Sequence, residues 1–61
     1  MIWKLNNEGV YESGEYIIEH LPKRNAEKPY FLYVKNGKQG WYNFITNCAT
    51  LDIAKRKAAE F

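Results

Sequence analysis

One segment of this sequence, residues 50–61, has the pattern of an amphipathic helix, and no other segment has it. Its apolar side chains recur at spacings of three, four and three residues, which places them along one stripe of a helix. The stripe consists of Leu51, Ala54, Ala58 and Phe61. Thr50 precedes it as an N-cap, and Asp52 lies in the positive first turn. The sequence therefore predicts a single helix, whose two alanines allow a close approach to the layer beneath.

The remainder of the chain predicts short strands separated by turn residues. Residues 2–5 form a first strand, and residues 15–21 form a second, in which Tyr16, Ile18 and His20 share a face. Residues 30–35 are almost entirely aromatic or aliphatic and predict a central strand, which residues 41–46 follow as the last. A chain of 61 residues folds around one core. The prediction is a single α+β domain over residues 1–61, with a three- or four-stranded antiparallel sheet and one C-terminal helix packed on one face.

The hairpin around residues 36–40 leaves two registers open. A two-residue turn at 36–37 places Lys35 opposite Lys38. A loop of odd length with a glycine bulge instead aligns aliphatic with aromatic residues: Leu32 and Val34 with Tyr42 and Phe44. We favour the second register because it collects the apolar side chains on one face and separates the lysines.

A single helix covers only one side of such a sheet, since about eleven residues span roughly 16 Å. The chain contains five tyrosines, three phenylalanines and two tryptophans, too many to lie beneath that helix. We therefore expect an exposed aromatic surface, which usually marks an interface. The candidate partner-binding residues are Phe31, Tyr33, Trp41 and Trp3. The alternative is that these rings pack along the rim of a small core or against the N-terminal strand.

The residues that catalysis needs are scarce. The chain has one histidine, His20, and one cysteine, Cys48, and its serine and threonine residues have no acid and base at recognisable spacing. A structural zinc site needs four ligands, and residues 36–40 join two strands instead of opening a phosphate-binding helix. We therefore expect no enzyme activity, cofactor, metal or small-molecule substrate.

The predicted location is the cytoplasm. No apolar run approaches the roughly 20 residues that a membrane span requires. The first residues lack the pattern of a secretion signal, and a single cysteine makes no internal disulfide.

The net charge of +2 is small, but every basic residue except Lys4 lies after residue 21. This asymmetry supports an alternative function, DNA or RNA binding through the hairpin at 36–40 and a basic loop at 23–28. The cations that would contact phosphates are Lys23, Arg24, Lys28, Lys35 and Lys38.

The succession of residues 14–18, 30–34, 44–46 and 50–58 resembles the strand-strand-strand-helix pattern of many small phage and prophage proteins. The resemblance covers residues 14–61 and implies an accessory or host-takeover factor of a bacterial virus. The same order of elements is similar to the arm-binding domain of tyrosine recombinases and to the plant ethylene-response type of DNA-binding domain, whose three-stranded sheet enters the major groove. Those sheets carry several arginines, whereas the arginines here are Arg24 and Arg56, neither of them in a predicted strand.

Aromatic side chains are enriched at protein interfaces, whereas nucleic-acid footprints are usually more basic than this chain. The sequence therefore predicts a non-enzymatic module of phage or prophage type that binds a protein, including a second copy of itself, in preference to nucleic acid.

Overall fold

Strand-forming residues separated by turn residues produce a meander of strands followed by the helix. The computed structural model describes residues 1–37 and 40–61, and all the elements below lie within them. They are β1 (Lys4–Leu5), β2 (Tyr11–Ser13), β3 (Tyr16–His20), β4 (Tyr30–Asn36), β5 (Trp41–Cys48) and α1 (Leu51–Glu60).

The strands form one antiparallel sheet in the order β1-β2-β3-β4-β5, so each strand pairs with its neighbour in sequence. This confirms the predicted α+β class, with an antiparallel sheet and a C-terminal helix. The predicted number of strands is too low, because Tyr11–Ser13 forms a strand of its own between β1 and β3. Gly14 makes this possible. It has a φ of +58° in the two-residue turn after β2, a conformation that type II′ hairpin turns require and glycine adopts readily.

The observed register of β4 and β5 differs from the predicted one, in which Leu32 and Val34 align with Tyr42 and Phe44. Tyr42 and Phe44 lie opposite Lys35 and Tyr33, and therefore on the face opposite to Leu32. The register differs because the extra residue lies within β5 and not in the loop. An even number of residues, four, separates the paired Asn36 and Trp41, and the irregularity lies within β5.

The irregularity in β5 is a bulge at Ile45. Leu32 pairs with Thr46, whereas the next residue of β4, Tyr33, pairs with Phe44. Ile45 is therefore the extra residue, and its side chain packs against the core. The bulge changes the alternation of β5, so that Tyr42 and Phe44 before it point to one face, and Thr46 and Cys48 after it point to the other.

The core lies between α1 and the sheet. Its buried residues are Ile18, Leu32, Cys48, Ala54 and Ala58. Helix α1 begins as predicted, with the Thr50 side chain accepting a hydrogen bond from the Ile53 amide at 3.2 Å. The predicted stripe is wrong at its end, because Phe61 lies one residue beyond the helix and is 78% exposed. No helix in the described part of the chain has the length and apolar character needed to cross a membrane.

Candidate binding face

The face of the sheet opposite α1 is formed by the residues that alternate with the core positions. Ile18 and Leu32 point towards the helix and are fully buried. Because neighbouring strand residues point to opposite faces, Phe31 and Tyr33 lie on the other side of the sheet. The register places Phe44 opposite Tyr33 on that same side. We call this side the open face, since α1 contacts β3, β4 and β5 only from the core side.

Three aromatic rings meet on the open face. The ring centroids of Phe31 and Phe44 are 6.0 Å apart, and those of Tyr33 and Phe44 are 5.8 Å apart with the planes at 66°. These are the distances and inclined geometries that aromatic pairs prefer. Phe44 is 55% exposed, whereas Phe31 and Tyr33 are half-buried. The aromatic cluster of Phe31, Tyr33 and Phe44 is thus an ordered apolar surface that remains accessible to solvent.

Polar groups border the aromatic cluster. Arg24 lines a shallow depression together with the three rings of the aromatic cluster. Burial raises the pKa of the Tyr33 hydroxyl above its ordinary value, and the negative charge of Glu19 and a hydrogen bond to its side chain raise it further. The positive charge of Arg24 acts in the opposite direction. The Tyr33 hydroxyl is therefore protonated at neutral pH and donates to Glu19.

A second depression lies towards β1 and β2. Ile17 and Tyr42 contribute its apolar part, and three carboxylates, those of Glu8, Glu12 and Glu19, contribute negative charge. The open face is consequently a mixed surface, with an apolar centre, a guanidinium at one side and carboxylates at the other.

The structure separates the four predicted partner-binding aromatics. Phe31 and Tyr33 lie together on the open face, in the aromatic cluster. Trp41 is 69% exposed at the start of β5. Trp3 is half-buried and packs against the core cluster, in agreement with the alternative that some rings line the core. Phe44 is not among the predicted residues, because its place on the open face depends on the register of β4 and β5.

The predicted nucleic-acid contacts also lie in different places. Lys23, Arg24 and Lys28 belong to the loop between β3 and β4, where the Asn25 side chain accepts hydrogen bonds from the amides of residues 27 and 28. Lys35 lies five residues along β4 from Tyr30, which corresponds to about 17 Å of strand. Lys38 lies outside the described residues. The loop cations and Lys35 are thus at opposite ends of β4.

The two side chains considered for catalysis, His20 and Cys48, lie on the two strands that flank Tyr30. The His20 ring stacks on Tyr30, with centroids 4.5 Å apart and planes 15° from parallel. Cys48 is buried beneath α1, and burial raises the pKa of its thiol, although the charges of Lys57 and Lys28 oppose this. In the part of the chain that the structure describes, no three residues among His, Cys, Asp and Glu are grouped so that they could hold a metal ion.

Comparison of the chain with protein-family models, with curated proteins and with solved structures finds no match. The resemblance to phage and prophage proteins and to recombinase arm-binding domains stays a prediction.

Proposed function

We propose that this chain is a non-enzymatic protein-binding module, and that its open face binds the partner. The observation that carries the proposal is the aromatic cluster, in which the Phe44 ring contacts those of Phe31 and Tyr33 on a sheet face that no element of the described chain covers. Water around such a surface is released when an apolar partner covers it, which favours association.

The arrangement of the cluster supports a specific contact. Phe31 and Tyr33 are half-buried and form the base of the aromatic cluster. Phe44 is more exposed, so its ring is accessible to a partner. Tyrosine, tryptophan and arginine dominate the binding energy of protein interfaces, and Tyr33 and Arg24 border the same depression. The Arg24 guanidinium donates in a planar fork that fits a carboxylate or a backbone carbonyl of the partner.

The charges favour a protein over a nucleic acid. Carboxylates of Glu12 and Glu19 share the open face with the aromatic cluster, and they would repel a phosphate backbone. Protein interfaces combine an apolar centre with a polar rim of both signs. Nucleic-acid binding through the loop and hairpin stays an alternative prediction.

The proposal includes a biological setting, which rests on the resemblance to phage and prophage proteins. In that setting the module acts in the bacterial cytoplasm and binds a host or viral protein.

Two matched substitutions test the proposal, Phe44→Ser and Phe61→Ser. Both remove an exposed phenylalanine ring, one from the open face and one from beyond the end of α1. Each variant and the parent protein would be immobilised, exposed to a bacterial lysate, and the retained proteins quantified by mass spectrometry. We expect a retained protein that Phe44→Ser loses and Phe61→Ser keeps, after circular dichroism has shown that both variants fold. Equal retention by all three proteins would contradict the proposal.

A further inference from the structure

Strand β5 is the last strand of the sheet and has a neighbour on one side only, β4, among the described residues. It is eight residues long, and its first four residues, 41–44, are exposed. A sheet edge presents backbone N–H and C=O groups that a further strand can pair with. The opposite edge, β1, is only two residues long. The sheet therefore has one edge long enough to accept another strand.

The hydrogen bonds of β4 identify which groups of β5 point outwards. The Lys35 amide donates to the Glu15 carbonyl on the β3 side at 2.7 Å. Because a strand residue directs its N–H and C=O to the same side, Lys35 and Tyr42 form a non-hydrogen-bonded pair. The N–H and C=O of Tyr42 consequently point away from β4. The N–H and C=O of Phe44, two residues further along β5 and before the bulge, also point away from β4.

The side chains of β5 lack the usual protection of an edge strand. Natural sheets place charged residues, especially lysine, or proline on exposed edges to prevent pairing. The segment Trp41–Cys48 contains neither a charged residue nor a proline. The bulge at Ile45 interrupts the regular edge, so pairing is confined to the part before it.

We propose that this edge pairs with the same edge of a second copy of the chain, in antiparallel orientation, with the twofold axis at Asn43. In this register Tyr42 of each copy lies opposite Phe44 of the other. These are the residues whose backbone groups point outwards, so each pair exchanges N–H···O=C hydrogen bonds in both directions. No other symmetric register pairs both residues within β5 and before the bulge.

A second copy of the chain fits this edge because β5 is complementary to itself. An uncharged strand meets its own copy without like-charge repulsion, and a twofold axis at Asn43 makes the two contributions identical. On the open face the register sets one aromatic side chain opposite another, which is a favourable cross-strand pair. The two sheets become continuous, and the aromatic clusters of both copies lie on one surface. The inference goes beyond the proposed function, since it concerns the edge of the sheet and not the open face.

Charge substitutions at Asn43 test the inference. Asn43 is exposed and lies at the proposed axis, outside the aromatic cluster. Asn43→Lys places two like charges directly opposite each other, and so does Asn43→Glu. Each variant alone should associate at least about fivefold more weakly than the parent protein. Asn43→Gln is the neutral control and should associate like the parent. The measurement is sedimentation equilibrium from tens to several hundred micromolar protein.

Mixing the two charged variants distinguishes loss of pairing from loss of folding. An equimolar mixture of Asn43→Lys and Asn43→Glu should restore the dimer, because opposite charges then face each other, and native mass spectrometry should identify it as the heterodimer. A parent protein that is strictly monomeric at several hundred micromolar would overturn the inference. A dimer that Phe44→Ser abolishes and Asn43→Lys leaves intact would also overturn it, because the copies would then associate through their open faces. Retention by monomeric Asn43→Lys of a lysate protein that Phe44→Ser loses would support the proposed function separately.

Discussion

At the scale of the residue, the open face depends on how Tyr33 is held. Its ring contacts Phe44, and its hydroxyl donates to Glu19, so one side chain belongs both to the apolar cluster and to the polar rim. Burial and the Glu19 carboxylate both favour the protonated hydroxyl, which is why its pKa is raised. Tyr33 is therefore oriented before any partner arrives, which lowers the entropy cost of binding.

The raised pKa of Tyr33 predicts a pH dependence of stability. A group whose pKa is raised in the folded protein stabilises it below the unfolded pKa, here about 10, and loses that contribution as the pH rises through the folded value. Tyr33→Phe should therefore reduce the alkaline fall in the free energy of unfolding above about pH 10. Urea denaturation of both proteins across this pH range measures the free energy of unfolding. In Glu19→Gln, where the neighbouring charge is absent, the Tyr33→Phe substitution should have a smaller effect. An identical alkaline fall with and without Tyr33 would contradict the assignment.

At the scale of the element, α1 is positioned by its cap and by its small residues. Thr50 accepts from the Ile53 amide, and Ala54 and Ala58 let the helix lie close to β3, β4 and β5. The capping signal is local, so the sequence was sufficient to predict where α1 begins. The end of the stripe was not predictable in the same way. Phe61 continues the apolar spacing, but the helix ends at Glu60.

The cap of α1 predicts a measurable contribution to stability. Thr50→Ala removes the acceptor for the Ile53 amide and should lower the free energy of unfolding by about 1 kcal/mol. Thr50→Ser keeps a hydroxyl at the same place and should stay within about 0.5 kcal/mol of the parent protein. Chemical denaturation followed by circular dichroism compares the three proteins. Equal losses in both variants would show that the threonine methyl group, and not the cap, is responsible.

At the scale of the whole molecule, the fold has very little interior. Among the described residues, Ile18 and Leu32 are the largest fully buried side chains, and Cys48 and two alanines form the rest of the buried core cluster. For a domain of this size the total stability is only about 3 to 5 kcal/mol. The large aromatic residues, which would enlarge such a core, lie partly on the open face and its edge. This distribution leaves aromatic surface exposed on the second face of the sheet.

The small core predicts a sharp contrast between two leucines. Leu32 is fully buried in β4, and its truncation in Leu32→Ala should cost roughly 2 to 5 kcal/mol, enough to unfold most of the protein. Leu5 is 61% exposed at the outer strand, and Leu5→Ala should change the stability by no more than about 0.5 kcal/mol. Thermal unfolding followed by circular dichroism measures both. A Leu32→Ala variant that melts like the parent would show that the core lies elsewhere.

The sequence alone determined the properties that depend on neighbouring residues. These are the α+β class, the alternation of Tyr16, Ile18 and His20 in β3, the capped start of α1, and the expectation that one helix leaves one sheet face uncovered. The tertiary structure decided which aromatic residues lie on that face. Strand alternation has a period of two, so one extra residue reverses every side chain beyond it. Whether that residue lay in the loop or at Ile45 could not be decided locally. Ile45 packs against a core assembled from β3, β4, β5 and α1, which are distant parts of the chain. The same register places Phe44 opposite Tyr33.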